Sequence, residues 1–193
     1  MLLSKGNHKL PKDTAIFNLP HMTTCPGATE ECKKYCYAAK AERIYKGTVP
    51  FRQKNFELSK TEEFPELVIK TLSRMRVLKR VRIHESGDFY NQEYLNKWVK
   101  IAKALPGIIF TAYTKSLHLD FTEMKKLPNV VLFASIDPTT PKYMLEANTI
   151  ESKATVVAKD GEAPKGYFLC PGSCKYCNHC YTPGASSVAF RKH

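Results

Sequence analysis

Four cysteines lie within eleven residues near the end of the chain, and their spacing is typical of a metal site. The segment reads Cys170-Pro-Gly-Ser-Cys174-Lys-Tyr-Cys177-Asn-His-Cys180. Because Pro171 and Gly172 favour a tight turn, the short cysteine side chains can converge on one centre. Separations of two or three residues are typical of iron–sulfur clusters and of zinc sites. We call these four cysteines the quartet and predict that they bind metal.

Three further cysteines, Cys25, Cys32 and Cys36, form a second group, which we call the trio. Cys25 follows an extended, mostly apolar segment over 14–24. Thr29 is a good N-cap for a helix that begins at about Glu30. A single helix would place Cys32 and Cys36, four residues apart, on one face. The pattern therefore predicts three thiols at the junction of a strand and a helix.

Composition limits the class of protein. The chain has 193 residues, 43% of them hydrophobic, which predicts one globular domain over 1–193, with segment 167–182 closing its rim. No apolar run is long enough to cross a bilayer, and the N-terminus does not resemble a signal peptide. We therefore expect a cytoplasmic protein whose thiols stay reduced, where clustered cysteines indicate metal. Seven cysteines, an odd number, also suit a disulfide framework poorly.

The charge balance is strongly basic, with a formal net charge of +12. Such a charge favours polyanions, so nucleic acid is a candidate partner. The basic residues are scattered, with local density only over 74–82 and 100–126. A solvated basic surface is the alternative interpretation of this pattern.

Strand and helix patterns alternate along the chain and predict the fold class. Apolar strand patterns are followed by helix patterns, which favours parallel strands joined by right-handed crossovers. The sequence predicts an α/β protein, a partial (β/α)6 barrel of the TIM type. The expected strands cover 14–24, 81–84, 108–113, 130–135, 154–158 and 167–169. The expected helical stretches cover 49–78, 93–105, 120–127 and 141–147, and the first of them is interrupted near Pro65.

Polar residues follow the carboxyl ends of these predicted strands. Parallel α/β folds place their active sites at that edge. Glu85 and Asp88 are candidates for binding a cofactor amine or for proton transfer, with helix capping as the alternative. Lys115 is a candidate for binding a carboxylate or phosphate, or else a surface lysine. His84 and His179 are alternative cluster ligands, although hydrogen bonding is the more common role.

Two of these segments resemble the core of radical S-adenosylmethionine enzymes. An aromatic residue precedes a cysteine at Tyr35-Cys36, as in the cluster loop of that superfamily. Ser86-Gly87-Asp88 resembles the segment that holds the amino group of the cofactor. The resemblance implies a [4Fe-4S] cluster and S-adenosylmethionine, with Glu85, Ser86, Gly87, Asp88 and Lys115 as the cofactor-binding candidates.

A closer resemblance is to the gene-product-88-like family of phage proteins, and it covers nearly the whole chain. It implies a phage-encoded, radical-SAM-like iron–sulfur protein that acts in the host cytoplasm. The segments that carry it are Thr24-Cys-Pro-Gly-Ala28, Cys36-Tyr-Ala38, His84-Glu-Ser-Gly-Asp-Phe89, Tyr113-Thr-Lys-Ser116 and the closing Cys-Pro turn with three further cysteines.

The cysteine spacing leaves two layouts open. Radical-SAM enzymes usually space three cysteines by three and two residues after the first strand, whereas the trio is spaced by six and three. The trio and the quartet can each hold a centre, or one cluster can take four thiolates from both groups. A chain of this length favours one four-iron cluster.

Three functional classes follow from these patterns. The first is an iron–sulfur enzyme of radical-SAM type, and the second is an electron-transfer or structural cluster protein without S-adenosylmethionine. The third is a nucleic-acid-binding protein stabilised by zinc or by a cluster.

Overall fold

A computed structural model of the protein describes residues 2–7 and 9–192, so Met1, His8 and His193 of the predicted domain lie outside the described residues. The chain forms an eight-stranded sheet in the order β1-β2-β3-β4-β5-β6-β8-β7. β1 pairs with β2 in the antiparallel sense, and every other neighbouring pair is parallel. The strands are Ser4–Lys5 (β1), Thr14–Phe17 (β2), Arg80–Ile83 (β3), Ile109–Thr114 (β4), Val130–Ser135 (β5), Lys153–Val157 (β6), Phe168–Leu169 (β7) and Val188–Arg191 (β8).

The helices connect these strands and supply most of the core. α5 begins where the Asn91 side chain accepts a hydrogen bond of 2.9 Å from the Tyr94 N–H, and its buried face includes Trp98. The described residues contain no helix long and apolar enough to cross a membrane. The helices are Glu30–Lys34 (α1), Tyr37–Ile44 (α2), Thr48–Lys60 (α3), Phe64–Ser73 (α4), Gln92–Ala104 (α5), Thr122–Lys125 (α6) and Lys142–Ala147 (α7), with a 3₁₀ turn at His179–Tyr181.

The two faces of the sheet pack against different parts of the chain. Side chains alternate between the faces along each strand. On β4, Phe110 and Ala112 join the large core formed with α3 to α6. On β5, Val131 and Phe133 join a second, smaller core that includes Ala185 from the C-terminal segment. The C-terminal segment therefore covers the face opposite the helices.

The predicted α/β class with a mostly parallel sheet is confirmed, but the prediction of a single helix for Cys32 and Cys36 is wrong. The helix that begins at Glu30 ends at Lys34, and Cys36 caps the separate helix α2. Cys32 and Cys36 therefore do not share a helix face. The helical stretch predicted over 49–78, with an interruption near Pro65, forms two helices, α3 and α4. The chain turns at Thr61 and restarts with Pro65 in the first turn of α4.

The strand predicted over 167–169 is observed, but a further parallel strand, β8, was not predicted. Segment 168–169 forms the outermost strand β7, and β8 lies between it and β6. The apolar run Val188-Ala-Phe190 is the sequence signal for β8. Because β8 follows the quartet, the quartet lies in the connection between two neighbouring strands.

Candidate metal centre

The trio follows β2, with Cys25 on a tight loop that we call the trio loop, Cys32 in α1 and Cys36 at the start of α2. The Cys25 N–H donates to the Met22 carbonyl at 3.1 Å, and the Ala28 N–H donates to the Cys25 carbonyl at 3.1 Å. The predicted N-cap is confirmed, since the Thr29 hydroxyl accepts from the Cys32 N–H at 3.2 Å. Burial raises the pKa of Cys25 to about 12, with further raising by Asp88 and by the other two trio thiols. Cys25 therefore interacts electrostatically with the other two thiols of the trio.

Asp88 lies beneath the trio loop, and both of its carboxylate oxygens accept hydrogen bonds from the protein. Its carboxylate accepts hydrogen bonds from the Thr114 hydroxyl at 2.7 Å, the Lys115 N–H at 2.8 Å and the Phe89 N–H at 2.7 Å. Burial raises its pKa to about 6, although these hydrogen bonds act in the opposite direction. Asp88 is 6% exposed, so it joins the ends of β3 and β4 from inside the protein.

The two residues before Asp88 also support the trio loop. The Ser86 hydroxyl donates to the Leu19 carbonyl at 2.9 Å. Gly87 has a φ of +81°, and a Cβ there would lie 2.5 Å from the Leu19 Cβ and 2.6 Å from the Thr24 hydroxyl oxygen. Glycine is therefore required both by the backbone conformation and by the close contact.

Lys115 links the start of α1 to the ends of β4 and β5. Its ammonium donates to the Asp137 carboxylate at 2.6 Å and to the Ser135 carbonyl at 3.2 Å. The Thr29 hydroxyl donates to the same Asp137 oxygen at 2.6 Å. Burial alone would raise the pKa of Asp137, but hydrogen bonds from Lys115, Thr29 and Thr139 lower it to about 2. This ion pair fixes the first turn of α1.

Glu85 is likewise bound within the protein. Its carboxylate accepts a hydrogen bond of 2.7 Å from the Asn7 side chain, and its carbonyl accepts one from the Tyr37 hydroxyl. The predicted cofactor residues thus lie together at one edge of the sheet. Their polar groups bind neighbouring protein segments, and their contact with S-adenosylmethionine stays a prediction.

The quartet follows β7 and crosses the face of the sheet opposite the helices. The Cys170 N–H donates to the Ala189 carbonyl at 2.8 Å, and the Gly172 N–H donates to the Cys170 sulfur at 3.4 Å. The Cys174 N–H donates to the Lys9 carbonyl at 2.9 Å, which ties the quartet to the loop before β2. The Cys180 carbonyl accepts from the Thr111 hydroxyl at 2.7 Å. Hydrogen bonds therefore anchor the quartet to β8, to β4 and to the loop before β2.

Arg82 of β3 lies beside the quartet. Its guanidinium carbon is 3.9 Å from the centre of the Tyr113 ring, and its Nε donates to the His84 carbonyl at 3.1 Å. Burial raises the pKa of Cys180 to about 11, while a Tyr113 hydrogen bond and the Arg82 charge lower it. Burial also raises the pKa of Cys174, again opposed by Arg82. One cation thus acts on two quartet thiols.

The interactions between cysteines that raise their pKa values lie within each group. Cys25 interacts with Cys32 and Cys36, whereas Cys174 interacts with Cys170 and Cys177. Over residues 2–7 and 9–192, no three His, Cys, Asp or Glu side chains already stand at metal-binding geometry. The layout with one centre for each group matches this arrangement better than one shared cluster.

The two candidate histidine ligands make hydrogen bonds. His179 Nε2 lies 2.8 Å from the Ser186 carbonyl, and its ring stacks on Phe168 at 4.2 Å. His84 is 3% exposed, and its Nε2 lies 2.7 Å from the Tyr94 hydroxyl. His84 also has a φ of +66°, an uncommon conformation outside glycine and asparagine.

We expect His84 to make the protein sensitive to acid. Burial, followed by the Arg82 charge, lowers the pKa of His84 to about 3. Between pH 6.5 and 3 the unfolded chain binds more protons, so the free energy of unfolding falls as the pH falls, by up to about 1.4 kcal/mol per pH unit. Urea denaturation at pH 6.5, 5.5 and 4.5 measures this slope.

His84→Asn is the matched variant, because asparagine tolerates the left-handed backbone and does not titrate. Its slope should be shallower than that of the unmodified protein by about 1 kcal/mol per pH unit. Asp88, whose raised pKa has the opposite effect, is present in both proteins and cancels in the comparison. Equal slopes would contradict a neutral His84 in the fold.

The fold and the site together define an α/β protein with a mostly parallel sheet and two cysteine groups. The chain belongs to the family described as gene product 88, whose sequence model matches residues 1–169. The matched residues include the trio and end one residue before the quartet.

Two curated relatives come from mycobacterial phages. The chain is 30% identical over 126 residues to a "Gene 88 protein" of Mycobacterium phage L5, covering 60% of this chain and 53% of the relative. It is 29% identical over 126 residues to a "Gene 88 protein" of Mycobacterium phage D29, covering 60% and 52%. The chain spans about half the length of the curated relatives it matches. No solved structure matches it.

Proposed function

We propose that the protein is an iron–sulfur protein in which the quartet holds a [4Fe-4S] cluster and the trio forms a second centre. The observation that carries the proposal is Arg82, a partly buried cation that packs 3.9 Å from the ring of Tyr113, the hydrogen-bond partner of Cys180. Its charge lowers the pKa of both the Cys174 and the Cys180 thiol. Within the described residues Arg82 forms no ion pair with a carboxylate. The Glu85 charge raises the pKa of Arg82, but the two side chains are too far apart to form an ion pair.

A partly buried arginine without an anionic partner destabilises the fold, because a charge loses hydration free energy when it leaves water. A nearby counter-charge compensates for that loss. Four thiolates around a four-iron core carry a net negative charge, which would supply that counter-charge. Hydrogen bonds to the sulfurs are a known means of tuning such clusters, and the Gly172 N–H already donates to Cys170. The donor set and its surroundings therefore fit a cluster.

The trio differs from the quartet in its number of ligands. Three thiols would leave one iron of a four-iron cluster for another ligand, and the resemblance to radical-SAM enzymes suggests S-adenosylmethionine for that position. The sequential order of the parallel strands β2 to β6 supports a partial barrel of the radical-SAM type, although β8 lies between β6 and β7. We infer a phage-encoded protein of the host cytoplasm, with electron transfer at the fully ligated quartet as its simplest activity.

Anaerobic purification with iron and sulfide analysis tests the proposal. We expect a brown protein with about eight iron atoms per chain, and a paramagnetic signal after reduction. A change in this signal on adding S-adenosylmethionine would assign an open iron to the trio. A colourless protein that contains zinc would overturn the cluster proposal.

Arg82→Gln should lower the reduction potential of the quartet cluster. One charge about 10 Å from the cluster centre, at an effective dielectric of about 20, contributes about 1.7 kcal/mol, or about 70 mV for one electron. The cation favours the more negative, reduced cluster, so its loss shifts the potential downward. Redox titration followed by paramagnetic resonance measures the shift.

Arg43→Gln is the matched control, since Arg43 is exposed on α2 and forms no ion pair in the described part of the chain. It should move the potential by less than about 20 mV, because water and salt screen an exposed charge. Equal shifts in the two variants would contradict the placement of Arg82 beside the cluster.

A further inference from the structure

Four cations line a pocket of about 250 Å³ at the end of the sheet opposite the trio: Lys5, Lys12, Arg74 and Arg76. The trio loop follows the carboxyl end of β2, whereas the pocket is built from residues that precede β2 and β3. Met75, Val77 and Leu78 complete the lining. The pocket therefore combines a basic rim with an apolar wall, and none of its lining residues belongs to either cysteine group.

Backbone hydrogen bonds hold the two walls of the pocket together. The loop after α4 is closed by a bond of 2.9 Å from the Leu78 N–H to the Met75 carbonyl. The Lys79 N–H donates to the Asp13 carbonyl at 3.0 Å, which fixes this loop against the segment that carries Lys12. The Gly6 N–H donates to the Thr14 carbonyl at 2.8 Å and fixes the segment that begins with Lys5. The pocket is thus a defined feature of the fold.

The charge of the pocket is not neutralised by the protein. No acidic residue lines it, and in the described part of the chain none of its four cations forms an ion pair. The nearby Asp13 carboxylate lies 4.0 Å from Arg80 instead. Converging like charges repel one another, and a polyanion would relieve that repulsion.

We propose that this pocket binds the phosphate backbone of nucleic acid. Arginine and lysine are the usual phosphate ligands in such interfaces, and arginine binds phosphate through two parallel hydrogen bonds. Val77, which is 76% exposed, supplies apolar surface next to the cations for a sugar or base. The net charge of +12 extends the attraction beyond a single phosphate, which favours a nucleic-acid strand over a free nucleotide.

Fluorescence anisotropy with a labelled duplex of 20 base pairs, at 50 to 200 mM salt, tests this proposal. The pocket variant is Arg74→Gln with Arg76→Gln, and the control is Arg43→Gln with Arg191→Gln, two exposed arginines elsewhere. We expect the pocket variant to bind about tenfold more weakly and its plot of log affinity against log salt to be shallower by about 2. The control should stay within about twofold of the unmodified protein.

Three results would overturn the assignment. One is absence of salt-dependent DNA binding, and another is an equal loss in both double variants, which would indicate diffuse attraction to a basic surface. The third is binding of inorganic triphosphate, measured by calorimetry, without binding of DNA. Circular dichroism and iron content of the variants check that the fold and both cysteine groups are unchanged, so the result is independent of the cluster proposal.

Discussion

Replacing Cys174 and Cys177 with serine should remove about four iron atoms per chain and leave the remaining iron at the trio. Serine keeps the size of cysteine but is a poor ligand for a cluster iron, so a cluster that loses two of four thiolates should not assemble. The quartet signal in paramagnetic resonance should disappear with that iron. Iron analysis and resonance of the anaerobically purified variant measure both effects.

The matching variant in the other group is Cys25→Ser with Cys32→Ser. With one centre in each group, it removes the trio iron and any response to S-adenosylmethionine, while the quartet signal persists. The separate neighbourhoods of the two groups are the reason for this expectation. If one cluster takes ligands from both groups, either double replacement will remove all the iron. That outcome would refute the two-centre arrangement.

The sequence predicted the features that depend on neighbouring residues or on the alternation of strands and helices. Thr29 caps a helix because its side chain accepts a hydrogen bond from the Cys32 N–H. The two residues are three positions apart, so the sequence alone is enough to predict this contact. The strand Val130–Ser135 has the predicted bounds because its apolar run is bounded by Pro128 and by Asp137 with Pro138. The gathering of Asp88, Lys115 and Asp137 at one edge follows from the parallel order of the strands.

What the sequence did not predict depends on tertiary pairing. β8 is a run of only four residues, and its place between β6 and β7 is fixed by partners distant in the chain. Arg82 had the pattern of an ordinary polar position on a strand, and its role became visible only with Tyr113 and the quartet beside it. The hydrogen-bond partners of Asp88 and Lys115 likewise lie in segments distant in the chain. The sequence therefore could not predict that these two side chains bind other protein groups.

Gly27→Ala should destabilise the protein strongly, because the trio loop packs directly on the loop after β4. A Cβ at Gly27 would lie 1.9 Å from the Lys115 carbonyl oxygen and 2.4 Å from its carbon. Backbone atoms cannot swing aside as a flexible side chain does, so one of the two loops must move. We expect a loss of about 3 kcal/mol in the free energy of unfolding and a drop of about 6–12 °C in the melting temperature.

Gly47→Ala is the matched control, since Gly47 has a φ of −72° and no atom lies within 4 Å of the position of its Cβ. It should leave the melting temperature within about 2 °C. Displacing the Lys115 loop also separates Asp88 and Asp137 from their partners, so Gly27→Ala should lose iron from the trio and keep the quartet signal. Calorimetry and resonance on the two variants measure these effects. Equal melting temperatures would contradict the close contact between the two loops on which the arrangement of the trio depends.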